Sequence, residues 1–281
     1  MLLIADSGST KTQWCLTGPD SVLREIRTDG INPYHMTAER IQEITEAQLL
    51  PALEGLQPER IYFYGAGCNQ PQRNRAVIEA LQHHWKDTPV EVASDMLGAA
   101  RSLCGREDGM ACILGTGANS CLFEGGRITG NTAPMGYILG DEGSGAVLGR
   151  LLVADWSKHQ LPDDLSRMFE ETYKTDTLQV IEAVYRQPQA NRYLASFCPF
   201  LSRNIEHPYI QQLVRSEFTR FVQRNLDNYK RKDLPVHFTG SVAWVFRGIL
   251  TEVLTAEGYR AGRIRQAPME GLLAYHRATP T

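Results

Sequence analysis

The chain has no strong charge imbalance and no long apolar segment, and these two absences exclude several classes of protein. Its 281 residues carry a formal net charge of −3, with 42% hydrophobic and 22% charged residues. This balance gives no electrostatic reason to expect a nucleic-acid or membrane partner. No apolar run approaches the roughly 20 residues that a spanning helix needs. The composition is that of a globular protein, and its length suits two domains.

The sequence also lacks paired cysteines and any recognisable metal-ligand spacing. The six cysteines include no C-x-x-C pair, and the seven histidines are scattered, with His83 and His84 on a predicted surface helix. Scattered cysteines are typical of buried thiols in a reducing compartment. Residues 1–6 have no basic flank and reach an acidic residue at once, unlike a signal peptide. The sequence therefore predicts a cytoplasmic protein.

The order of predicted elements repeats along the chain. Hydrophobic periodicity and turn residues predict β-β-β-α-β-α-β-α over the first hundred residues, and the same order restarts near residue 110. The second series is interrupted by a mainly helical stretch. We therefore expect an α/β protein with an internal duplication. Its predicted domains are residues 1–107 plus 268–281, and residues 108–267 with a helical insertion at about 155–235.

Two glycine-containing turns occupy equivalent positions in the two series. They lie in IADSGSTKTQW, from residue 4, and in CILGTGANSCLF, from residue 112. A tight turn between strands offers backbone N–H groups to an anion, and glycine permits close approach. Neither turn matches G-x-x-x-x-G-K-[ST] or runs into a helix. We predict two phosphate-binding hairpins, although each turn alone could be an ordinary hairpin. The predicted contacts are Ser7, Gly8, Ser9, Thr10, Lys11, Gly115, Thr116, Gly117 and Asn119.

An acidic residue distinguishes the first turn from the second. Asp6 precedes the first turn, and Gly115 takes its place in the second. A carboxylate that faces phosphates is unfavourable unless a cation intervenes, and Mg²⁺ held through water is the expected cation. The first turn is therefore a candidate magnesium site.

Three further stretches hold candidate polar residues. MGYILGDEGSGAVLGR, from residue 135, predicts a helix beginning at Glu142, with Asp141 binding a polar ligand or favouring the helix dipole. VHFTGSVAWVF, from residue 236, offers Gly240 to a ring or phosphate, with Ser241 as an alternative helix cap. VEVASDMLGAA, from residue 90, places Asp95 at a helix start, where it is either an N-cap or a base.

These motifs together resemble a known family. D-x-G-x-T-K at 6–11, G-T-G-x-N at 115–119, G-D-E-G-S at 140–144 and T-G-S at 239–241 are similar to the BadF/BadG/BcrA/BcrD branch of the actin–hexokinase–Hsp70 ATPase superfamily, and within it to N-acetylglucosamine kinases. The resemblance implies two actin-like (ribonuclease H-like) domains with a central cleft. It also implies ATP and Mg²⁺ as cofactors.

The resemblance also implies roles for individual residues. Asp95 would be the general base that deprotonates the 6-hydroxyl of an amino sugar, N-acetylglucosamine or glucosamine. The remaining implied contacts are Asn32, Asp95, Gly136 and Asp141 for the sugar, Gly240 and Ser241 for adenosine, and Asp6 for Mg²⁺ through water. The run NTAPMG at 131–136 departs from the eukaryotic kinases, which leaves the exact hexosamine open. A homodimer is one expected state.

Two alternatives belong to other classes. The same branch contains ATPase activators of 2-hydroxyacyl-CoA dehydratases and benzoyl-CoA reductases, which hold an iron–sulfur cluster between subunits through cysteines. Cys104 and Cys112 are the candidates by placement, although Cys112 lies within a predicted strand. The other alternative is a non-catalytic nucleotide-binding regulator.

Overall fold

The computed structural model describes residues 1–8 and 10–278, which form two compact units. Unit 1 contains the described residues of 1–107, 125–128 and 267–278, and unit 2 contains 108–124 and 129–266. In the described part of the chain, no helix combines the length and apolar character that a membrane crossing requires.

The sheet of unit 1 has five strands in the order β3-β2-β1-β4-β5. Strands β2 and β3 form antiparallel hairpins, whereas β4 and β5 run parallel to β1. The central strands are apolar because helices cover both faces of the sheet. The strands are β1 (Leu2–Ser7), β2 (Lys11–Thr17), β3 (Val22–Asp29), β4 (Arg60–Gly65) and β5 (Val90–Ser94).

The helices of unit 1 begin at side-chain caps that the sequence supplies. Thr37 accepts the N–H of Arg40 at the first helix, and Ser94 accepts the N–H of Leu97 at the helix after β5. The helices are α1 (Ala38–Ile44), α2 (Leu50–Leu53), α3 (Pro71–His84), α4 (Asp95–Cys104) and α14 (Met269–Arg277). A single π-helical turn, Thr45–Leu49, joins α1 to α2.

The second sheet repeats the topology of the first. Its order is β10-β9-β6-β7-β8, which matches the first sheet strand for strand when read from β8. This result confirms the predicted α/β class with two duplicated sheets. The strands are β6 (Gly109–Leu114), β7 (Ala118–Glu124), β8 (Arg127–Thr132), β9 (Pro235–Thr239) and β10 (Arg260–Arg265).

The helices of unit 2 surround a larger apolar core, in which Phe218 and Phe221 are completely buried. Five of them, α7 to α11, lie between α6 and β9. The helices are α5 (Gly136–Leu139), α6 (Gly145–Ser157), α7 (Asp163–Tyr173), α8 (Thr177–Tyr185), α9 (Ala190–Ala195), α10 (Cys198–Arg203), α11 (Pro208–Phe221), α12 (Ser241–Val245) and α13 (Arg247–Ala256).

Two predicted helix starts in unit 2 were wrong. Helix α6 begins at Gly145 and not at Glu142, because Ser144 accepts the N–H of Val147 and thereby caps it. Asp141 and Gly143 have φ values of 54° and 73°, which a helical turn does not allow. Ser241 is the first residue of α12 and not its cap, and no side chain caps this helix.

Candidate active site

In unit 1 the candidate residues collect at the carboxyl end of the parallel strands. Asp6 is the penultimate residue of β1 and pairs in register with Tyr64 of β4. Gly65 at the end of β4 pairs with Ser94 of β5, and Asp95 follows directly. Ligands of open α/β sheets bind at this edge. The sheet topology therefore brings two carboxylates from distant parts of the sequence to one edge.

The two carboxylates interact electrostatically. The pKa of Asp6 is raised to about 7, chiefly by burial and then by the charge of Asp95, while Lys11 acts against the rise. Burial also raises the pKa of Asp95, against two backbone hydrogen bonds that lower it. Each side chain still has partial access to solvent. Both carboxyl groups therefore have a raised pKa and lie near each other. Such a pair is a favourable site for a bound cation or for proton transfer.

Asp95 is available for chemistry because Ser94 takes the capping role. The Ser94 hydroxyl accepts the N–H of Leu97 at 3.2 Å, while one oxygen of Asp95 accepts the N–H of Met96 at 2.8 Å. Helix α4, which begins at Asp95, is held close to β4, since a Cβ on Gly98 would lie 2.8 Å from the Tyr64 side chain. This contact sets the distance between Asp95 and the sheet. The sequence analysis missed it.

Asn32 lies in a loop that packs against the end of β4. It is buried, and its side-chain oxygen accepts the N–H of Tyr34 at 3.0 Å. A Cβ on Gly67 would come within 2.2 Å of that oxygen, so this position requires glycine. Cys68 lies in the same loop as Gly67. The pKa of its thiol is raised to about 12, chiefly by burial and secondly by the charge of Asp95. The loop at 65–68 is thus in contact with Asn32 and lies near Asp95.

The first glycine turn is a tight hairpin. The N–H of Gly8 donates to the carbonyl of Lys11 at 3.1 Å, and Gly8, Thr10 and Lys11 are exposed. Ser9, also a predicted contact, lies outside the described residues. The hydroxyl of Ser7 is buried and donates to the carbonyl of Ile31 at 2.9 Å, so this side chain stabilises the fold instead of facing the turn.

In unit 2 the second glycine turn is fixed by helix α6. The N–H groups of Gly145 and Ala146 donate to the carbonyls of Gly115 and Thr116, at 2.8 and 3.0 Å. A Cβ on Gly115 would meet no atom of the described residues within 4 Å, and the φ of Gly115 is not positive. Neither packing nor backbone conformation therefore explains this glycine, whereas a ligand that approaches the turn would.

Asp141 lies directly against this turn. Its carboxylate accepts the N–H of Ala118, and a Cβ on Gly117 would be 3.1 Å from one of its oxygens. Burial raises the pKa of Asp141 to about 6, and the neighbouring Glu142 adds to the rise. The two motifs that the sequence placed apart are in contact.

Glu142 is held by residues that the sequence analysis missed. It is buried, and its two oxygens accept hydrogen bonds from the Arg224 guanidinium and from the Asn225 amide. Arg224 and Asn225 belong to a π-helical turn, Val222–Leu226, after α11. No motif marked this stretch in the sequence. The ion pair anchors the backbone that presents Asp141.

The remaining predicted contacts of unit 2 have different positions. Gly240 has φ 120°, and a Cβ there would lie 2.3 Å from the carbonyl oxygen of Leu114, so its turn packs on the start of the second glycine turn. Ser241 is exposed beside it. The side-chain oxygen of Asn119 accepts the Asn131 amide at 3.0 Å. Gly136 begins the short helix α5 and is exposed, and its carbonyl accepts the N–H of Gly140, the residue before Asp141, at 2.7 Å.

The residues present fit a phosphate ligand and a hard cation. The open space at Gly115 is a cradle that a Cβ would fill. The Asp6 carboxylate supplies the oxygen ligand that Mg²⁺ prefers, and burial together with Asp95 keeps its pKa raised although Lys11 lowers it. The duplicated fold is that of the actin-like ATPase superfamily.

Comparisons with known proteins show which members of this superfamily the chain resembles. No family model matches the chain, and no curated protein matches it. The chain is similar to the "Putative N-acetylglucosamine Kinase" of Porphyromonas gingivalis, with 46% identity, a TM-score of 0.95 and 99% of each chain covered. The chain belongs to the family of this protein, within the actin-like ATPase superfamily. The resemblance found in the sequence is thereby confirmed.

More distant structures share the fold. A protein of the same name from Chromobacterium violaceum has 18% identity and a TM-score of 0.73, with 98% of each chain covered. A "putative N-acetylmannosamine kinase" from Listeria monocytogenes has 13% identity and a TM-score of 0.52, with 98% of this chain and 97% of that chain covered. At these identities the likeness concerns the fold alone.

Proposed function

We propose that this protein is an ATP-dependent sugar kinase that phosphorylates the 6-hydroxyl of an amino sugar, with N-acetylglucosamine as the first candidate and glucosamine as the second. The observation that carries the proposal is the pair Asp6 and Asp95 at one sheet edge, each with a raised pKa. Membership of the family and the open cradle at Gly115 support it.

The proposal assigns different roles to the two acids. Asp95 accepts the proton of the sugar hydroxyl as the oxygen attacks the terminal phosphorus of ATP, whose bond to the bridging oxygen breaks so that ADP leaves. A pKa above the usual carboxylate value suits a base that works near neutral pH. Asp6 holds Mg²⁺ through water, and the ion would neutralise phosphate charge. Positioning supplies most of the remaining rate.

The other contacts follow the two glycine turns. The first turn, with Thr10 and Lys11, binds the terminal phosphates. The second turn, at 115–119, also binds phosphate groups of the triphosphate. Gly240 and Ser241 contact the adenosine. The sugar hydroxyls are bound by Asn32, Asp141 and the segment at Gly136. Cytoplasmic location and a homodimer complete the proposal.

The proposal is tested by a coupled assay of ATP consumption with Mg²⁺ over a panel of hexoses and amino sugars. We expect an amino sugar to give the highest kcat/KM. The Asp95→Asn variant should lose at least about a hundredfold in sugar phosphorylation while it binds ATP normally, because a positioned base contributes roughly 10²–10⁴ in rate. Asp87→Asn, an exposed acid in the same unit, is the matched control. Near-normal turnover in Asp95→Asn would refute the assignment.

The two alternatives predict other outcomes. An activator ATPase needs cysteines that reach the surface, but Cys104 and Cys112 are only 1% and 0% exposed. A brown protein with an iron–sulfur absorption spectrum would nevertheless favour it. A nucleotide-binding regulator would bind ATP and show no turnover with any sugar of the panel.

A further inference from the structure

Three side chains with metal-binding atoms meet on unit 1, away from the sheet edge that carries Asp6 and Asp95. Glu46 lies in the π-helical turn between α1 and α2, and His83 and His84 are the last two residues of α3. One ligand atom from each lies within 4.8 Å of the others, and this is the one such group among the described residues. Helices α1 and α3 pack against each other, which brings the three together.

His84 has an unsatisfied polar atom at this place. Its Nε2 is buried and has no hydrogen-bond partner among the described residues. The nearest carboxylate oxygen, Oε1 of Glu46, is 3.7 Å away, which is too far for a hydrogen bond. Buried polar atoms are rarely left without a partner.

We propose that Glu46, His83 and His84 form a binding site for a divalent transition-metal ion, and that Zn²⁺ is the ion that this donor set fits. A cation placed between His84 and Glu46 would bond to Nε2 of His84 and to Oε1 of Glu46, which lie 3.7 Å apart without a hydrogen bond. Two imidazoles and one carboxylate are ligands that zinc accepts, with a fourth position left for water. Mg²⁺ prefers oxygen ligands and would not compete well here.

The surrounding structure prepares these ligands. Gln42 donates from its amide to Oε1 of Glu46 at 3.0 Å, which orients the carboxylate from outside the site. Single π-helical turns inside α-helices are frequent at functional sites. Here the turn contains Glu46 itself. No ligand spacing marks this site in the sequence, because two adjacent histidines and a distant acid match no ligand motif.

Bound zinc would tie the α1–α2 segment to the end of α3. Its effect is therefore on stability, independent of the proposed kinase reaction. The test uses the whole protein, stripped with a chelator and free of Mg²⁺ and nucleotide. Isothermal titration with Zn²⁺ should show one ion per chain, and Co²⁺ substitution should give the intense visible absorption of a four-coordinate site.

Variants decide where the ion binds. We expect His84→Gln and Glu46→Gln to weaken Zn²⁺ binding at least tenfold and to abolish the rise in Tm that Zn²⁺ gives to the unaltered protein. His83→Gln changes an exposed side chain, so it remains informative if the His84 variant does not fold. His159→Asn, an exposed histidine of unit 2, is the control and should bind normally. The proposal is overturned if the site variants bind Zn²⁺ with unchanged affinity, which would happen if Asp6 and Asp95 held the ion. It is also overturned if the unaltered protein binds no stoichiometric Zn²⁺.

Discussion

Replacing Asp6 with Asn should stabilise the ligand-free protein at alkaline pH while it removes activity. The pKa of Asp6 rises from 3.8 to about 7 on folding, chiefly through burial and then through Asp95. Between these two values the folded state binds more protons than the unfolded state, so stability falls as pH rises. Above pH 7 the full cost of the buried charge is present. Asn carries no charge and avoids this cost.

The size of the effect follows from the shift. One pKa unit corresponds to about 1.4 kcal/mol, so the shift from 3.8 to about 7 sets an upper limit of about 4 kcal/mol. Solvent that reaches the partly exposed carboxylate reduces it, and we expect a measured gain of about 1–2 kcal/mol at pH 8.5. At pH 5, where the folded protein keeps the proton, the gain should be much smaller.

Urea unfolding at pH 5 and pH 8.5, without Mg²⁺ or nucleotide, measures this difference. Asp20→Asn, an exposed acid in the turn between β2 and β3, is the control and should give the same small change at both pH values. The reasoning is refuted if Asp6→Asn changes the free energy of unfolding equally at pH 5 and pH 8.5. It is also refuted if the variant is less stable than the unaltered protein at pH 8.5.

Three other substitutions separate binding from folding. Gly115→Ala should keep the Tm and raise the KM for ATP by about tenfold, since a Cβ there meets only open space that a phosphate would use. Gly240→Ala should instead lower the free energy of unfolding by about 2 kcal/mol or more, because its Cβ would clash with Leu114 at positive φ; equal Tm values for these two variants would contradict both expectations. Glu142→Gln should cost about 1–3 kcal/mol through the weakened pairing with Arg224, and should raise the KM for sugar more than it lowers kcat. A KM unchanged in Glu142→Gln would separate that ion pair from the sugar site.

The fold could be predicted from the sequence because its signals are local. Alternating and continuous apolar runs end at turn residues such as those of Thr17–Ser21, and their order alone revealed the duplication. The errors occurred where tertiary contacts override local preference. Asp141 and Glu142 resemble the acidic first turn of a helix, yet positive φ at Asp141 delays α6 until Gly145.

The site was predicted only in part, for the same reason. Asp6 and Asp95 could be found because each follows an apolar strand, and strand ends are recognisable in sequence. The residues that hold the site could not be found this way. Arg224 reaches Glu142 from a stretch without any motif, and Gly67 is required by contact with Asn32 as well as by its positive φ. Such partners become visible only when distant segments pack together.

The duplication also explains why the two glycine turns differ. Both sheets have the same strand order, and Gln266 follows β10 as Asp95 follows β5. In the sequence of the second turn, Gly115 stands where the first turn has Asp6. The second copy therefore lacks both carboxylates. A turn without an acid can bind phosphate through its backbone alone, whereas a turn with one needs a cation. If the proposed function is right, a variant with Gly115→Asp should bind ATP more weakly, and added Mg²⁺ should restore part of the loss.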